Sequence, residues 1–257
     1  METNPVIQTM LNHRSVRKYK PEQPSDEIVE TIVRAGQQAP FASQLYSVLL
    51  SRKRKGPFSA PLHFIICVDI YKLERLMQQR GWELRTNHLL MLMFGNQDAA
   101  YMAENMVVAA ESLGLGTCFL GGAPYMADKI AKQFKLPLRV FPLVGLVMGY
   151  PDEDFPPLPR YPLSFTLFED TYPELTDAQV SEAMQVMDDG YLQQDYYRKQ
   201  RAKINLEVER EETFSYKDYS WTEHISRKWG QWFSSPKDLL EQLRLRGFDI
   251  TGDQEKA

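Results

Sequence analysis

An α+β domain built on a mixed sheet is the fold class that this sequence predicts. Two helical patterns come before any strand pattern. Short apolar strand candidates then flank one long apolar helix near the middle of the chain. A proline-rich arm and a charged helical tail follow, and strand and helix never alternate strictly as in a βαβ fold.

The first element starts at Asn4-Pro5, an N-cap residue before proline at the first helical position. Val6, Ile7, Met10 and Leu11 then share one helical face. A cationic cluster, His13-Arg14-Ser15-Val16-Arg17, follows directly. Pro21 and Pro24 mark a loop, and Ser25 caps a second helix whose first turn carries Asp26 and Glu27. Its buried face is Ile28, Val29, Ile32, Val33 and Ala35, and Ala39-Pro40 ends it. Leu45–Leu50 and Leu62–Val68 are strand candidates, joined through the basic stretch Arg52-Lys53-Arg54-Lys55, which reads as a solvated tip.

Asp98 to Leu113 reads as a helix that is apolar over most of its surface, with Glu104 and Glu111 on one narrow polar stripe. Its methionines fill core gaps, and Gly114 closes it. Thr117–Leu120 is a short strand before the turn Gly121-Gly122. Val140–Met148 is another, with Pro142 arguing for an edge position or a bulge near its start. Residues 151–172 read as an extended arm. Beyond Asp177 the chain is charged and helical, and Trp221, Trp229 and Trp232 form a stripe that reads as packing. From Thr251 the end should fray.

With 257 residues, the chain suits one large domain or a domain with an extension. A net charge of −4 disfavours nucleic acid as the main partner. Cys67 and Cys118 sit in apolar runs and read as buried core residues of a reducing compartment. His13, His63, His88 and His224 have no metal-ligand spacing. The polar start has no apolar h-region and no apolar run is long enough to span a bilayer, so a cytoplasmic protein without membrane partners is expected.

The chemistry concentrates in His13-Arg14-Ser15-Val16-Arg17. Arginine forks and a serine hydroxyl can grip a phosphate from several sides. Arg160, in Pro157-Leu158-Pro159-Arg160-Tyr161-Pro162, would close on the same anion if the fold brings the two segments together. The alternative is that Arg14 and Arg17 neutralise the carbonyl end of the preceding helix or lie in solvent.

Several of these segments also resemble one family. His13-Arg14-Ser15-Val16-Arg17-Lys18-Tyr19 resembles the opening motif of the FMN-dependent nitroreductases. Ala39-Pro40-Phe41-Ala42-Ser43-Gln44-Leu45 resembles the loop after their second helix. The run from Ala109 to Gly122 resembles their central helix, strand and glycine turn, and Gly149-Tyr150-Pro151 and Pro159-Arg160-Tyr161-Pro162 the end of their core. Order and spacing are most similar to the NADPH-dependent flavin reductase and oxygen-insensitive nitroreductase branch. The resemblance implies a mainly antiparallel sheet packed by helices, a flavin-binding core with its arm over residues 1–172, and a helical extension over 173–257 lying on the core or on a dimer mate.

It further implies that His13, Arg14, Ser15 and Arg160 hold the FMN phosphate and ribityl chain, and that Arg17 lies by the pyrimidine edge, where a positive charge favours the reduced ring. Backbone groups of Leu120, Gly121 and Gly122 would lie against the ring, although Gly121-Gly122 also reads as a plain turn. Pro40, Phe41, Ala42 and Ser43 would come from the other subunit of an obligate homodimer with shared active sites. Arg198 and Arg201 are candidates for the NADPH 2′-phosphate, against a solvated helix face as the alternative. Flavin N5 carries the chemistry, so no side chain is assigned as catalytic. The implied function is ping-pong transfer of hydride from NADPH or NADH to a small aromatic acceptor: a nitroaromatic, a quinone or free flavin.

Departures from the family pattern leave alternatives open. Leu158 stands where a lysine is common, and Phe41 and Tyr46 bring aromatic bulk where Ser or Thr and Gln are usual. A reductive dehalogenase, a flavin-fragmenting enzyme and a flavin-binding protein without turnover are the other readings.

Overall fold

The computed structural model describes residues 4–52, 56–232 and 235–250. Lys53, Arg54 and Lys55 of the basic tip, and the end expected to fray from Thr251, lie outside them. Contacts divide the chain into two compact units: residues up to Phe155 together with those from Ser235 on, and Pro156–Ser234. The compact units thus meet at Phe155 and Pro156, and residues 235–250 group with the first.

In the first unit, α1 (Pro5–Leu11) begins where Asn4 accepts a hydrogen bond from the Ile7 N–H, and α2 (Asp26–Gln37) where Ser25 accepts one from the Ile28 N–H. β1 (Tyr46–Ser51) and β2 (Leu62–Asp69) pair antiparallel. Then come α3 (Tyr71–Gln79), the long α4 (His88–Ser112), β3 (Gly116–Leu120), α5 (Ala127–Phe134) and β4 (Val140–Gly149). The sheet is antiparallel in the order β1-β2-β4-β3. A single parallel bridge, Ser15 to Thr117, adds the segment after α1 beside β3.

Pro142 lies in the inner strand β4 and not at a sheet edge, and the bulge is what accommodates it. Register shifts between Ile66 and Cys67, which pair with Val144 and Pro142. β3 pairs only with Gly145–Gly149, so no third strand needs a donor from Pro142.

The core lies between one sheet face and the helices α2 and α4. Leu62, Phe64, Ile66, Leu146 and Met148 pack there with Ile32, Met102, Met106 and Val107. Met102 and Met106 of α4 are buried, as gap-fillers should be. α4 starts at His88, ten residues before the Asp98 start, because Asn87 caps it through the Leu90 N–H. At Gly95 a Cβ atom would run into Val68, so the glycine is a close approach of helix to sheet and not a break. The opposite sheet face carries Ile65, Cys67, Cys118 and Val147, in part beneath Ile130 of α5. α1 leaves its apolar face exposed: Val6, Ile7, Met10 and Leu11 are all open to solvent in the single chain, as are Leu89, Leu90 and Met93 of α4.

α6 (Asp177–Gln193), α7 (Tyr196–Gln200) and α8 (Trp221–Gln231) build the second unit around Met187, Tyr191, Tyr197 and Tyr219. Leu158 packs against this cluster, which accounts for an apolar residue at that position. Trp221 stacks on Tyr191, but Trp229 and Trp232 stack on each other and remain exposed, so the tryptophan stripe packs only at its first member. The final helix, α9 (Pro236–Leu245), belongs to the first unit: Arg246 just beyond it donates to the Val140 and Leu136 carbonyls.

Candidate functional site

The segment after α1 runs parallel to β3. Ser15 bridges Thr117, and the Val16 N–H donates to the Thr117 carbonyl at 2.7 Å. Three side chains organise its start. His13 Nδ1 lies 2.8 Å from Glu111 Oε1, which also accepts from the Thr117 hydroxyl at 2.8 Å. Glu111 is thus an inward-facing organiser, whereas Glu104 stays in solvent as the polar stripe requires.

Farther along, the Cys118 thiol donates to the Phe119 carbonyl at 3.5 Å. Burial pushes its pKa up, and the nearby charge of Arg17 opposes the shift only in part. Glu153 fixes the backbone from the other side, accepting the N–H groups of Arg17 at 2.5 Å and Lys18 at 3.1 Å.

Arg14 is held far less completely. Its Nη2 donates to Asp154 Oδ1 at 3.0 Å, but the Asp154 side chain is 91% exposed. Its Nε is buried and has no hydrogen-bond partner. Leaving such a donor unmade is costly. A cavity of 380 Å³ opens beside Arg14, lined also by Gln8, Asn12, Glu111 and Gly116. That volume falls within the range of small-molecule sites, about 300–1,000 Å³.

β3 ends at Leu120, and Gly121 and Gly122 follow. Neither glycine has a positive φ, and a Cβ atom at Gly121 would meet nothing within 4 Å. At Gly122 it would reach only Met126 Cε, at 4.0 Å. Nothing in the chain itself therefore requires glycine at either position. A flat molecule lying against this backbone would require it.

The loop Pro40–Gln44 is exposed between buried Ala39 and Leu45. Phe41 is 50% exposed. Asp98, in the middle of α4 and 1% exposed, accepts the N–H groups of Ala42, Ser43 and Leu45 at 2.6, 3.1 and 3.0 Å. The structure thus makes Asp98 a loop anchor, where the sequence pattern reads it as a helix start. The sequence carries a signal for this: a carboxylate off the Glu104–Glu111 stripe of a largely apolar helix needs buried partners.

The remaining expected site residues belong to the second unit. Arg160 is exposed and donates to the carbonyls of Leu158 and Pro159 at 2.9 and 3.1 Å. Arg198 pairs with Asp195 at 3.0 Å, and Arg201 ends α7 with a left-handed φ of 50°. Among the described residues, no cluster of three or more His, Cys, Asp or Glu has the arrangement of a metal site, and no helix is long and apolar enough to cross a membrane.

The sequence model of the nitroreductase family matches residues 10–55 and 50–150. The chain belongs to the nitroreductase family. Relatives agree over most of their length. One, named FMN reductase (NADPH), from Bacillus subtilis, is 32% identical over 229 residues, covering 82% of this chain and 89% of its own. An NADPH-dependent oxidoreductase of Staphylococcus saprophyticus is 28% identical, covering 95% and 97%. The solved structure of the NfrA1 nitroreductase from B. subtilis superposes with a TM-score of 0.76 at 28% identity, over 95% of this chain and 98% of that one. The antiparallel sheet and the helices packed on it are the nitroreductase fold.

Proposed function

We propose that this nitroreductase-family chain is an NADPH-dependent FMN oxidoreductase that reduces small, flat acceptors: nitroaromatics, quinones or free flavin. The observations that carry the reading are an under-used arginine, Arg14, and two glycines after β3 whose Cβ positions the rest of the chain leaves open. The name of the B. subtilis relative, FMN reductase (NADPH), supports both the cofactor and the donor.

The residues fit FMN. Arg14 and Ser15 would hold the phosphate and ribityl chain, with His13 beside them. Asp154, exposed as it is, can release Arg14 at little cost. Arg17 would sit by the pyrimidine edge, and Leu120, Gly121 and Gly122 would back the ring. When bound, FMN supplies two-electron chemistry at N5. Arg17 would stabilise negative charge on the pyrimidine edge. With one face of the ring backed by Gly121-Gly122, donor and acceptor would use the other in turn, as a ping-pong cycle requires. Arg198 and Arg201 are the candidates for the NADPH 2′-phosphate.

Pro40, Phe41, Ala42 and Ser43 would complete the site of a second copy. The exposed apolar residues of α1 and α4 support a homodimer, since patches of this kind mark association surfaces.

The test is a visible spectrum. Purified protein given FMN should be yellow, should bleach on anaerobic addition of NADPH and should recover with menadione or a nitrofuran. Protein that takes up FMN but does not bleach would favour flavin binding without turnover.

A further inference from the structure

We propose that Asp98 is a positioning residue: its carboxylate moulds the loop Pro40–Gln44 and so sets how Phe41 and Ser43 meet the cofactor held by the neighbouring copy. This rests on the FMN reading above.

Asp98 is 1% exposed and stands in the middle of α4 beside the buried Ala99 and Met102. Burying a carboxylate there is unfavourable unless several donors meet it. Those donors all come from one short stretch. Ala42 donates to Oδ1, and Ser43 and Leu45 donate to Oδ2. Gln44, the residue skipped, has a left-handed φ of 53°, so the chain turns around the carboxylate. The loop is therefore sewn down by its backbone, while the side chains of Pro40 to Gln44 face outward. A loop held only at its ends would leave these three N–H groups to water and Phe41 without a fixed direction. One carboxylate thus converts a surface loop into a defined presenting edge.

A carboxylate that merely stabilises the fold would lower thermal stability without changing ligand contacts, so the test uses direct binding. FMN affinity is measured by quenching of flavin fluorescence in wild type, Asp98→Asn, Phe41→Ala and the double variant, alongside the thermal midpoint of each without FMN. An amide in place of the carboxylate turns an NH₂ group toward one of the loop donors, so Asp98→Asn should weaken FMN binding about tenfold to a hundredfold. In the Phe41→Ala background the same change should matter less than about threefold, because coupled sites are not additive. Glu74→Gln, which disturbs the ion pair with Arg139 away from the loop, serves as the structural control and should leave FMN affinity within about twofold. If Asp98→Asn does not fold, Asp98→Glu keeps the charge but pushes the loop outward, and it should show an intermediate loss.

A folded Asp98 variant that binds FMN as wild type does overturns the proposal and leaves the FMN reading intact, and so does a loss that is equal in both backgrounds. Wild-type protein that binds no FMN overturns both.

Discussion

Arg227 in the second unit and Arg14 in the first are both arginines set among carboxylates, but they are used differently. Arg227 is 5% exposed, and every arm of its guanidinium is taken. Nε donates to Glu223 at 2.7 Å, Nη1 to Glu212 at 2.7 Å and to the Ile204 carbonyl at 2.9 Å, and Nη2 to Glu212 at 2.8 Å. Arg14 makes one hydrogen bond, to an exposed carboxylate, and buries an Nε without a partner. A saturated guanidinium is spent on the fold, whereas an under-used one is available to an anion. Cavity size does not separate the two. The cavity beside Arg227, at 440 Å³, is larger than the one beside Arg14, yet the cation on its wall is already satisfied.

The largest effect that would sharpen this contrast is on stability. Arg227→Ala should cost about 1.5–3 kcal/mol, because it removes the buried cation on which Glu212, Glu223 and the Ile204 carbonyl converge. Urea unfolding followed by circular dichroism measures it, and a loss under about 1 kcal/mol would break the contrast.

Next comes a pH effect in the first unit. His88 Nδ1 accepts from Arg139 at 2.8 Å and from the Asp249 N–H at 2.9 Å. Burial, then the charge of Arg139, lowers its pKa below the ordinary value of 6.5. Below that value the unfolded chain takes up a proton that the folded chain refuses. The stability His88 contributes is therefore complete above about pH 6.5 and is lost as pH falls through the lowered folded value. Thermal midpoints from pH 7.5 to 5 should fall, and His88→Gln should flatten the fall. An unchanged slope would contradict the assignment.

The smallest effect is at Gly121, and it carries opposite signs. Its φ is not left-handed and a Cβ there meets nothing, so Gly121→Ala should raise the stability of the FMN-free protein by about 0.4–1 kcal/mol. The same methyl should weaken FMN binding. A variant that is stabilised and binds FMN normally would show that the glycine serves no ligand.

Much of the frame was legible in the sequence, because local chemistry and packing agree there. Asn4 and Ser25 cap their helices as expected, and the strand candidates lie within a residue or two of β1 to β4. What was not legible depends on contacts distant in sequence. The start of α4 is hidden because Gly95 and Asn96 suit a break, and only Val68 across the core reveals why glycine is there. Glu111 sits at the right spacing for a solvent stripe, and only its meeting with His13 and Thr117 turns it inward. The cluster after α1 was legible as chemistry, from residue types alone. Its under-used donor was not, since an unmade hydrogen bond has no sequence pattern.

The most direct measurement compares FMN with riboflavin, which differ only in the phosphate. Calorimetric titration of wild type and Arg14→Ala gives both affinities in each protein. If Arg14 is kept for the phosphate, FMN should bind wild type at least about tenfold more tightly than riboflavin, as charge-assisted hydrogen bonds are worth about 1.5–3 kcal/mol, and Arg14→Ala should remove most of that preference. Equal affinities in wild type, or a preference that survives the substitution, would contradict it.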